Sequence, residues 1–179
     1  MRVITGSARG TNLRTLEGND VRPTTDKVKE AVFSAFQFEI EGRRILDLFA
    51  GSGQLGIEAL SRGAENAVFV DADKNAIKII KENLAKTKLD SNATVVQTDS
   101  IAFLSMTDKI FDIAFLDPPY ETGLLQKALS KISGCISEGG AVICEHPIKD
   151  ELADEYSGLV RTKDYKYSKT AVTVYRKEG

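Results

Sequence analysis

An alternation of short apolar segments with helical segments, beginning at Arg44, constrains the fold of this chain more than any other feature. The apolar segments have the length and composition of buried strands: Ile45–Leu48, Ala67–Asp71, Thr94–Gln97, Ile113–Leu116 and Ala141–Cys144. Apolar residues recur at helical spacing between them, in Gln54–Arg62, Lys74–Lys86, a short piece near Ile101–Ser105, and Leu124–Ile136. This order indicates right-handed βαβ units, and therefore a mostly parallel sheet with helices on both faces.

Two further strand-like segments near the end of the chain break this alternation. Val160–Tyr165 and Ala171–Tyr175 are separated only by Lys166–Thr170, which predicts an antiparallel hairpin. The sequence therefore predicts an α/β fold whose seven-stranded, mostly parallel sheet ends in a C-terminal antiparallel hairpin.

The segment before Arg44 has a different pattern. The first fifteen or so residues predict a short hairpin with Gly6 and Gly10 in its turns. Residues 22–26 predict a loop and a helix start capped by threonine, and Val28 begins a run of apolar residues at helical spacing. We expect one domain over residues 1–179, with a hairpin-helix extension at 1–42 and a ligand-binding core at 43–179.

Composition excludes several classes of protein. At 179 residues the chain is long enough to bury a core without disulfides or metal. No apolar run reaches membrane-spanning length, and residues 1–5 lack the apolar centre of a signal peptide. Cys135 and Cys144 lie in apolar segments, as expected of reduced core thiols in a cytoplasmic protein. Two cysteines and one histidine predict no metal site.

A glycine-rich turn joins the first predicted strand to its helix. In Asp47-Leu48-Phe49-Ala50-Gly51-Ser52-Gly53-Gln54-Leu55-Gly56, glycines let the backbone approach a ligand closely and adopt positive φ. The spacing Gly51-x-Gly53-x-x-Gly56 formally matches a dinucleotide fingerprint, and Asp71 follows at the distance of a ribose-binding acid.

An acidic residue closes each of four successive predicted strands. Asp47, Asp71 and Asp99 end the first three, and Asp117 ends the fourth. The pattern fits S-adenosylmethionine, with Asp47 near the methionyl amine, Asp71 on the ribose and Asp99 on the adenine. The predicted cofactor site comprises Asp47, Phe49, Ala50, Gly51, Ser52, Gly53, Asp71, Ala72, Asp99 and Ser100.

The tetrapeptide Asp117-Pro118-Pro119-Tyr120 stands at the carboxyl end of a predicted central strand, where open α/β sheets bind ligands. The prolines fix φ and remove backbone donors, so the local carbonyls act as acceptors. Asp117 adds a carboxylate acceptor and Tyr120 a stacking face. These four residues predict a catalytic site for a flat group bearing an exocyclic amine.

The residues alone leave alternatives open. The same tetrapeptide suits DNA adenine-N6 or cytosine-N4 methylation, although no length remains for a target-recognition domain. Protein glutamine methylation favours Asn at the position of Asp117. A nicotinamide dehydrogenase fits the glycine spacing, but Asp47 does not suit a pyrophosphate and a second domain is missing. A catalytically inactive RNA-binding module is a further alternative, but it does not explain why an acid follows each of four successive strands.

The chain as a whole resembles the bacterial small-subunit (16S) ribosomal RNA guanine-N2 methyltransferases. The resemblance rests on four blocks: Arg2-Val3-Ile4-Thr5-Gly6 with Arg9-Gly10; Arg22-Pro23-Thr24-Thr25-Asp26 with Lys29-Glu30-Ala31-Val32-Phe33; Leu46-Asp47-Leu48-Phe49-Ala50-Gly51-Ser52-Gly53; and Asp117-Pro118-Pro119-Tyr120. The two N-terminal blocks point to this family, since amino-methyltransferases in general share only the last two. Gln54 and Ser168 depart from the family pattern, which commonly has a small residue and a glycine there.

The resemblance implies a Rossmann-like class I methyltransferase that uses S-adenosylmethionine to methylate a guanine N2 amine in small-subunit ribosomal RNA. It also implies that Arg22 and Thr24 belong to a loop closing over cofactor and base. We expect Arg9, Arg14 and Arg22 to bind the RNA. The net charge of −2 is low for an RNA-binding protein, which suggests that the substrate is an assembled small subunit whose proteins help docking. We expect a monomer.

Overall fold

The computed structural model describes residues 1–17 and 26–179. Its helices are α1 Asp26–Ala35, α2 Gln54–Ser61, α3 Lys74–Thr87, α4 Ser100–Met106 and α5 Leu124–Lys131. Its strands are β1 Arg44–Leu48, β2 Asn66–Asp71, β3 Ala93–Gln97, β4 Phe111–Leu116, β5 Ile136–Pro147, β6 Glu155–Tyr156, β7 Leu159–Tyr167 and β8 Thr170–Lys177. No helix in the described part of the chain is long and apolar enough to cross a membrane.

The strands form one sheet in the order β3-β2-β1-β4-β5-β8-β7-β6. β1 to β5 are parallel, and β8 joins β5 in the antiparallel sense before turning back through β7. The predicted mostly parallel sheet with a C-terminal hairpin is thus confirmed. The sheet has eight strands and not seven, because the two-residue β6 pairs with the start of β7. A two-residue strand has no periodicity by which sequence could reveal it.

Three predicted elements differ in extent from those observed. β5 is twelve residues long and runs well beyond Ala141–Cys144 at both ends, because antiparallel pairing with β8 continues to Pro147. The predicted fifth helix ends at Lys131 and continues as a 3₁₀ turn to Cys135. The predicted N-terminal hairpin contains one bridge, between Arg2 and Asn12, and backbone hydrogen bonds join its two arms from Val3 to Thr11, from Gly10 to Val3 and from Leu13 to Met1.

Two apolar layers cover the sheet, and strand alternation assigns residues to them. Ile45, Phe69 and Phe115 point to the layer that also contains α1, α2 and α3. Leu46 and Val70 point to the opposite layer, with α4 and α5. The central strands are therefore buried on both faces, and their carboxyl ends open together at one edge of the sheet.

Candidate active site

The predicted ligand-binding residues gather where β1, β2 and β4 end. β1 lies between β2 and β4, so the turns that follow these three strands are neighbours in space. In the paired registers, Asp47 lies opposite Phe69 on β2 and opposite Phe115 on β4. The glycine turn after β1 is thus flanked by Asp71 on one side and by Asp117 on the other.

The turn after β1 has the backbone conformation that its glycines permit. Gly51 has φ of 59° and Gly53 has φ of 80°, both in the left-handed region. Phe49 has φ of 60° without being glycine. The Ala50 amide donates to the Val70 carbonyl at 3.0 Å, which fixes this turn to β2. Among the described residues, an ideal Cβ built on Gly51 comes within 4 Å of the Leu16 side chain alone, at 3.9 Å.

Asp47 and Asp71 hold this turn through carboxylate bonds to backbone amides. Asp47 is 2% exposed and accepts from the Gly56 amide at 2.9 Å. Asp71 accepts from the Gly51 amide at 2.9 Å. Burial raises the pKa of Asp47 well above its usual range, an effect that the Gly56 hydrogen bond opposes and that repulsion from Asp117 and Asp71 increases. Three carboxylates close enough to repel one another make a site that favours a cationic ligand.

The structure gives Asp99 a local partner. Asp99 is the N-cap of α4, and its carboxylate accepts from the Ala102 amide at 2.8 Å. Ser100 is buried in the first turn of that helix, and Ala72 is exposed after β2. Asp99 and Ser100 follow β3 at the edge of the sheet, two strands away from β1. Their predicted contact with an adenine remains a prediction.

The Asp117-Pro118-Pro119-Tyr120 tetrapeptide follows β4 directly. The hydroxyls of Tyr120 and Thr170 lie 3.3 Å apart, which ties the tetrapeptide to the first residue of β8. Thr122 donates to the Pro119 carbonyl at 2.9 Å and fixes the turn that leads into α5. Tyr120 is thereby held at its hydroxyl by Thr170 and through the backbone of the preceding Pro119 by Thr122.

A cavity of about 280 Å³ opens beside this tetrapeptide. Its walls include Pro118, Pro119 and Tyr120 on one side and Glu145, His146 and Pro147 at the end of β5 on the other. The cavity therefore lies between the carboxyl ends of two central parallel strands.

The N-terminal segment packs against the glycine turn through Asn83. The Asn83 side chain accepts from the Arg14 amide at 2.8 Å and donates to the Arg14 carbonyl at 2.9 Å and to the Ser52 carbonyl at 3.0 Å. Asn83 is 1% exposed, so these bonds are made away from water. Sequence reasoning missed this residue. The available signal was an amide at a buried position of α3, one residue before Leu84.

A buried ion pair anchors the same segment to α2. Lys29 and Glu58 are both fully buried, with Nζ and Oε1 3.2 Å apart. Glu58 also accepts from the Ile4 and Thr5 amides and from the Arg62 guanidinium. Burial lowers the pKa of Lys29 and the Glu58 carboxylate opposes that shift. Sequence reasoning missed this pair, because its partners are 29 residues apart and have no local signature.

The predicted RNA-binding arginines fall in different places. Arg14 is exposed and its guanidinium pairs with Glu82 at 2.6 Å. Arg9 is exposed in the turn between Gly6 and Gly10. Arg22 and Thr24 lie outside the described residues, as does the predicted threonine cap. The RNA-binding roles of the three arginines remain predictions.

The basic C-terminal hairpin is partly neutralised within the protein. Arg161 pairs with Asp164, and Arg176 pairs with Glu39 at 2.8 Å. Lys177 donates to two backbone carbonyls near the end of the 3₁₀ turn. These contacts reduce the positive charge that the hairpin presents to a phosphate backbone. Ser168, where the family commonly has glycine, adopts φ of 52° in the hairpin turn.

His146 and the two cysteines are placed as structural residues. The ring nitrogens of His146 lie 2.9 Å from the Pro147 carbonyl and 2.8 Å from the Thr173 hydroxyl, so both already have partners. Cys135 and Cys144 are buried free thiols. Burial raises the pKa of Cys135 to about 11 and also raises the pKa of Cys144. Neither thiol is suited to nucleophilic attack.

The residues of this edge fit S-adenosylmethionine better than a dinucleotide. The carboxylates of Asp47, Asp71 and Asp117 suit positive charge and repel a pyrophosphate. Gln54 Oε1, at the first residue of α2 beside the glycine turn, is the one buried side-chain polar atom without a partner among the described residues. Within residues 1–17 and 26–179, no group of His, Cys, Asp and Glu is arranged to hold a metal ion.

Comparison with known proteins gives the same answer along the whole chain. The family described as "Conserved hypothetical protein 95" matches residues 1–176. The chain is 43% identical to "Putative rRNA methyltransferase YlbH" of Bacillus subtilis, with 100% of both chains covered. It is 31% identical to "Ribosomal RNA small subunit methyltransferase D" of Escherichia coli, covering 100% of this chain and 91% of the relative.

A solved structure matches the fold equally well. The "Putative methyltransferase yhhF from Escherichia coli" superposes with a TM-score of 0.89 at 31% identity, covering 99% of this chain and 98% of that one. The matched relatives are methyltransferases, which favours methyl transfer over the hydride transfer that the glycine spacing also allowed. The chain therefore belongs to the Conserved hypothetical protein 95 family, together with the small-subunit ribosomal RNA methyltransferases that it matches from end to end.

Proposed function

We propose that this protein transfers a methyl group from S-adenosylmethionine to the exocyclic N2 amine of a guanine in small-subunit ribosomal RNA. The observation that carries the proposal is the placement of Asp117-Pro118-Pro119-Tyr120 after β4, beside both the glycine turn after β1 and the cavity at the end of β5. The names of the relatives support ribosomal RNA as the substrate. The guanine N2 position is supported by the family resemblance.

The edge formed by β1 and β2 would hold the cofactor. S-adenosylmethionine, when bound, supplies an electrophilic methyl group on a positively charged sulfonium. Asp47 and Asp71 already fix the glycine turn through its amides, so the cradle is formed before ligand arrives. Their negative charge, with that of Asp117, favours the cationic end of the ligand. Asp71 would accept from the ribose and Asp99 from the adenine amine.

The tetrapeptide would position the nucleophile. A guanine amine is a poor nucleophile because its lone pair is delocalised into the ring. Asp117 and the Pro118 carbonyl would accept hydrogen bonds from the two N–H groups of this amine, which localises electron density on its nitrogen. Tyr120 would stack on the base. The base must be unpaired or flipped out to enter the cavity. Most of the rate gain then comes from positioning and electrostatics.

The chain would form one methyltransferase domain, with residues 1–42 as an extension of the core at 43–179. Arg9, Arg14 and Arg22 would contact the RNA phosphates. With a net charge of −2, the protein would act as a monomer in the cytoplasm on an assembled small subunit, whose proteins add to the docking surface.

The test is transfer of labelled methyl to small subunits purified from cells that lack this protein, followed by nucleoside analysis. The proposal expects label in N2-methylguanosine. Asp117→Ala is expected to retain most of the cofactor affinity, since Asp47 and Asp71 remain, and to lose transfer by at least a hundredfold, as expected for a group acting mainly in the transition state. Asp108→Ala is the matched control, because Asp108 is an exposed acid just before β4.

Other outcomes would contradict parts of the proposal. Cofactor binding without label in RNA would move the search to DNA or protein substrates. Label in N6-methyladenosine or N4-methylcytidine would retain the tetrapeptide chemistry and reject the guanine assignment. Full activity of Asp117→Ala would reject the catalytic role of the tetrapeptide.

A further inference from the structure

Glu145 lies beside the catalytic tetrapeptide, at the level of Asp117. β4 and β5 are parallel, and their last registered pair is Leu116 with Cys144. Asp117 and Glu145 are therefore the residues that directly follow this pair, each at the carboxyl end of its own strand pairing. By strand alternation they share the face of Phe115 and Ile143, which is also the face of Asp47. Neighbouring strands lie about 4.8 Å apart, so this register and alternation place both acids on one face of the sheet at its ligand-binding edge.

Glu145 also lines the cavity that the tetrapeptide borders. It is half-buried and shares that cavity with Pro118 and Tyr120. Glu121 and Asp150 lie on the same cavity but follow the strands in loops, and Glu121 is 71% exposed and paired with Lys149. Glu145 is thus the acid of this cavity that a regular strand positions.

The hydrogen-bonding edges of the bases differ at the atom next to the amine. In guanine, the exocyclic N2 amine is adjacent to N1–H, a second donor pointing the same way. In adenine and cytosine, the amine is adjacent to a ring nitrogen with a lone pair and no hydrogen. An ionised carboxylate has acceptors only. Two adjacent carboxylates therefore match guanine, and one of them faces a lone pair when adenine or cytosine enters.

We propose that Glu145 accepts the N1–H of the target guanine and is the residue that selects guanine over other amine-bearing bases. The inference rests on the proposed function, since it assigns two acids to two different groups of the guanine substrate. Asp117 binds the amine that reacts, and Glu145 binds the neighbouring ring donor. A site built to accept a substrate N–H rejects an analogue lacking it more strongly than an apolar pocket can, because the carboxylate then faces a lone pair of the analogue.

The test uses 2-aminopurine, which keeps the 2-amino group of guanine but has an N1 lone pair in place of N1–H. Small-subunit RNA carrying guanine or 2-aminopurine at the target position is assembled with subunit proteins, and kcat/KM for methyl transfer is measured for each. The wild type is expected to prefer guanine. Glu145→Gln is expected to lower kcat/KM for guanine about tenfold to a hundredfold. The substitution should also reduce the ratio of kcat/KM for guanine to kcat/KM for 2-aminopurine at least tenfold, because the glutamine amide can donate to the N1 lone pair of 2-aminopurine.

Two further variants make the result specific. Glu145→Asp keeps a carboxylate and is expected to retain the preference for guanine at reduced rate. Glu138→Gln makes the same change at the exposed, opposite end of β5 and is expected to leave the preference unchanged. Cofactor affinity and thermal unfolding, measured on each variant without RNA, should match the wild type, since Glu145 acts on the base.

An unchanged preference in a folded, cofactor-binding Glu145→Gln protein would overturn the inference and leave the proposed function standing. Loss of the preference in Glu145→Asp as well as in Glu138→Gln would also overturn it, because the effect would then not depend on the carboxylate at this position. A wild type that methylates no guanine would overturn the proposed function, and this inference with it.

Discussion

Gly56→Ala is expected to destabilise the protein through a single contact beneath the cofactor turn. Gly56 lies in α2, which packs on β2. An ideal Cβ on Gly56 would meet Phe69 Cε1 at 2.3 Å and Cζ at 2.7 Å. Phe69 is fully buried in β2, so its ring must move by about 1 Å within a close-packed core. The backbone is not the obstacle, because the positive-φ glycines do not include Gly56.

The magnitude follows from two opposing terms. Overpacking of a core costs about 1–3 kcal/mol. Alanine in place of glycine within a helix returns up to about 1 kcal/mol. A Cβ at 2.3 Å from the ring puts the overpacking cost in the upper part of its range, so the net loss is about 1–2 kcal/mol, which for a chain of this length lowers Tm by roughly 2–8 °C. Since the Gly56 amide donates to Asp47, displacement of α2 should also weaken cofactor binding.

The change in the free energy of unfolding is measured by thermal and urea unfolding. The proteins compared are Gly56→Ala, Gly134→Ala, Phe69→Leu and the Gly56→Ala, Phe69→Leu double mutant. Gly134→Ala is the matched control, because an added Cβ there meets no described residue within 4 Å and φ is not positive. It should change stability by less than about 0.5 kcal/mol. In a Phe69→Leu background, the cost of Gly56→Ala should fall by about 1 kcal/mol, since the shorter side chain vacates the clashing positions. A neutral Gly56→Ala, or a cost that Phe69→Leu does not reduce, would refute the reasoning.

Two buried or half-buried charges give further predictions. Lys29→Met should destabilise by about 1–3 kcal/mol, because it removes one of the two cations that bind the buried Glu58 carboxylate and leaves Arg62 as the other, and Lys27→Met at an exposed position of the same helix is the control in urea melts. Hydrogen bonds from Arg44 lower the pKa of Asp112 from 3.8 to about 2, so its stabilisation is full above about pH 4 and is lost as pH falls towards 2. The Arg44 side chain is 42% exposed, so screening reduces the effect, and Asp112→Asn should cost about 1–2 kcal/mol at pH 7. That cost should shrink between pH 4 and pH 2 in unfolding curves, and a pH-independent difference would contradict the assignment.

The sequence predicted the parallel part of the sheet because its strands are short apolar runs separated by amphipathic helices. It did not reveal β6, whose pairing depends on the turn at Ser157 and Gly158, both with positive φ. Ser157 carries no sequence signal for that conformation, since a serine with φ of 48° is not predictable from local pattern. The position of β8 between β5 and β7 likewise follows from long-range pairing and not from local sequence.

The three glycines of the motif are required for two different physical reasons, a positive φ at two positions and close packing against a side chain at the third. Gly51 and Gly53 have the positive φ expected from the motif. Gly56 has no such conformation, and a side chain is excluded there by Phe69. The pattern of glycines identified the site, but the partner that requires the third glycine lies on another strand and could not be read from the motif.

Sequence could not show how the N-terminal segment meets the core. Asn83 joins Arg14 to Ser52, and Glu58 joins Ile4 to Lys29, over separations of 29 to 69 residues. Both side chains were polar residues within helical runs, where solvent exposure is the usual expectation. Their burial explains why the segment carrying Arg9 and Arg14 is held beside the cofactor turn.

The acids at the strand ends are predicted from sequence to bind the ligand, and the structure shows that three of them also accept hydrogen bonds from backbone amides. Asp99 caps α4, while Asp71 and Asp47 bind the amides of Gly51 and Gly56. An ionised carboxylate has about four acceptor positions, so bonding one amide leaves capacity for a ligand. The amides that these acids bind belong to the very turns that border the ligand edge. A carboxylate that fixes such a turn in the free protein already has the orientation it needs for the ligand, and less ordering remains to oppose binding.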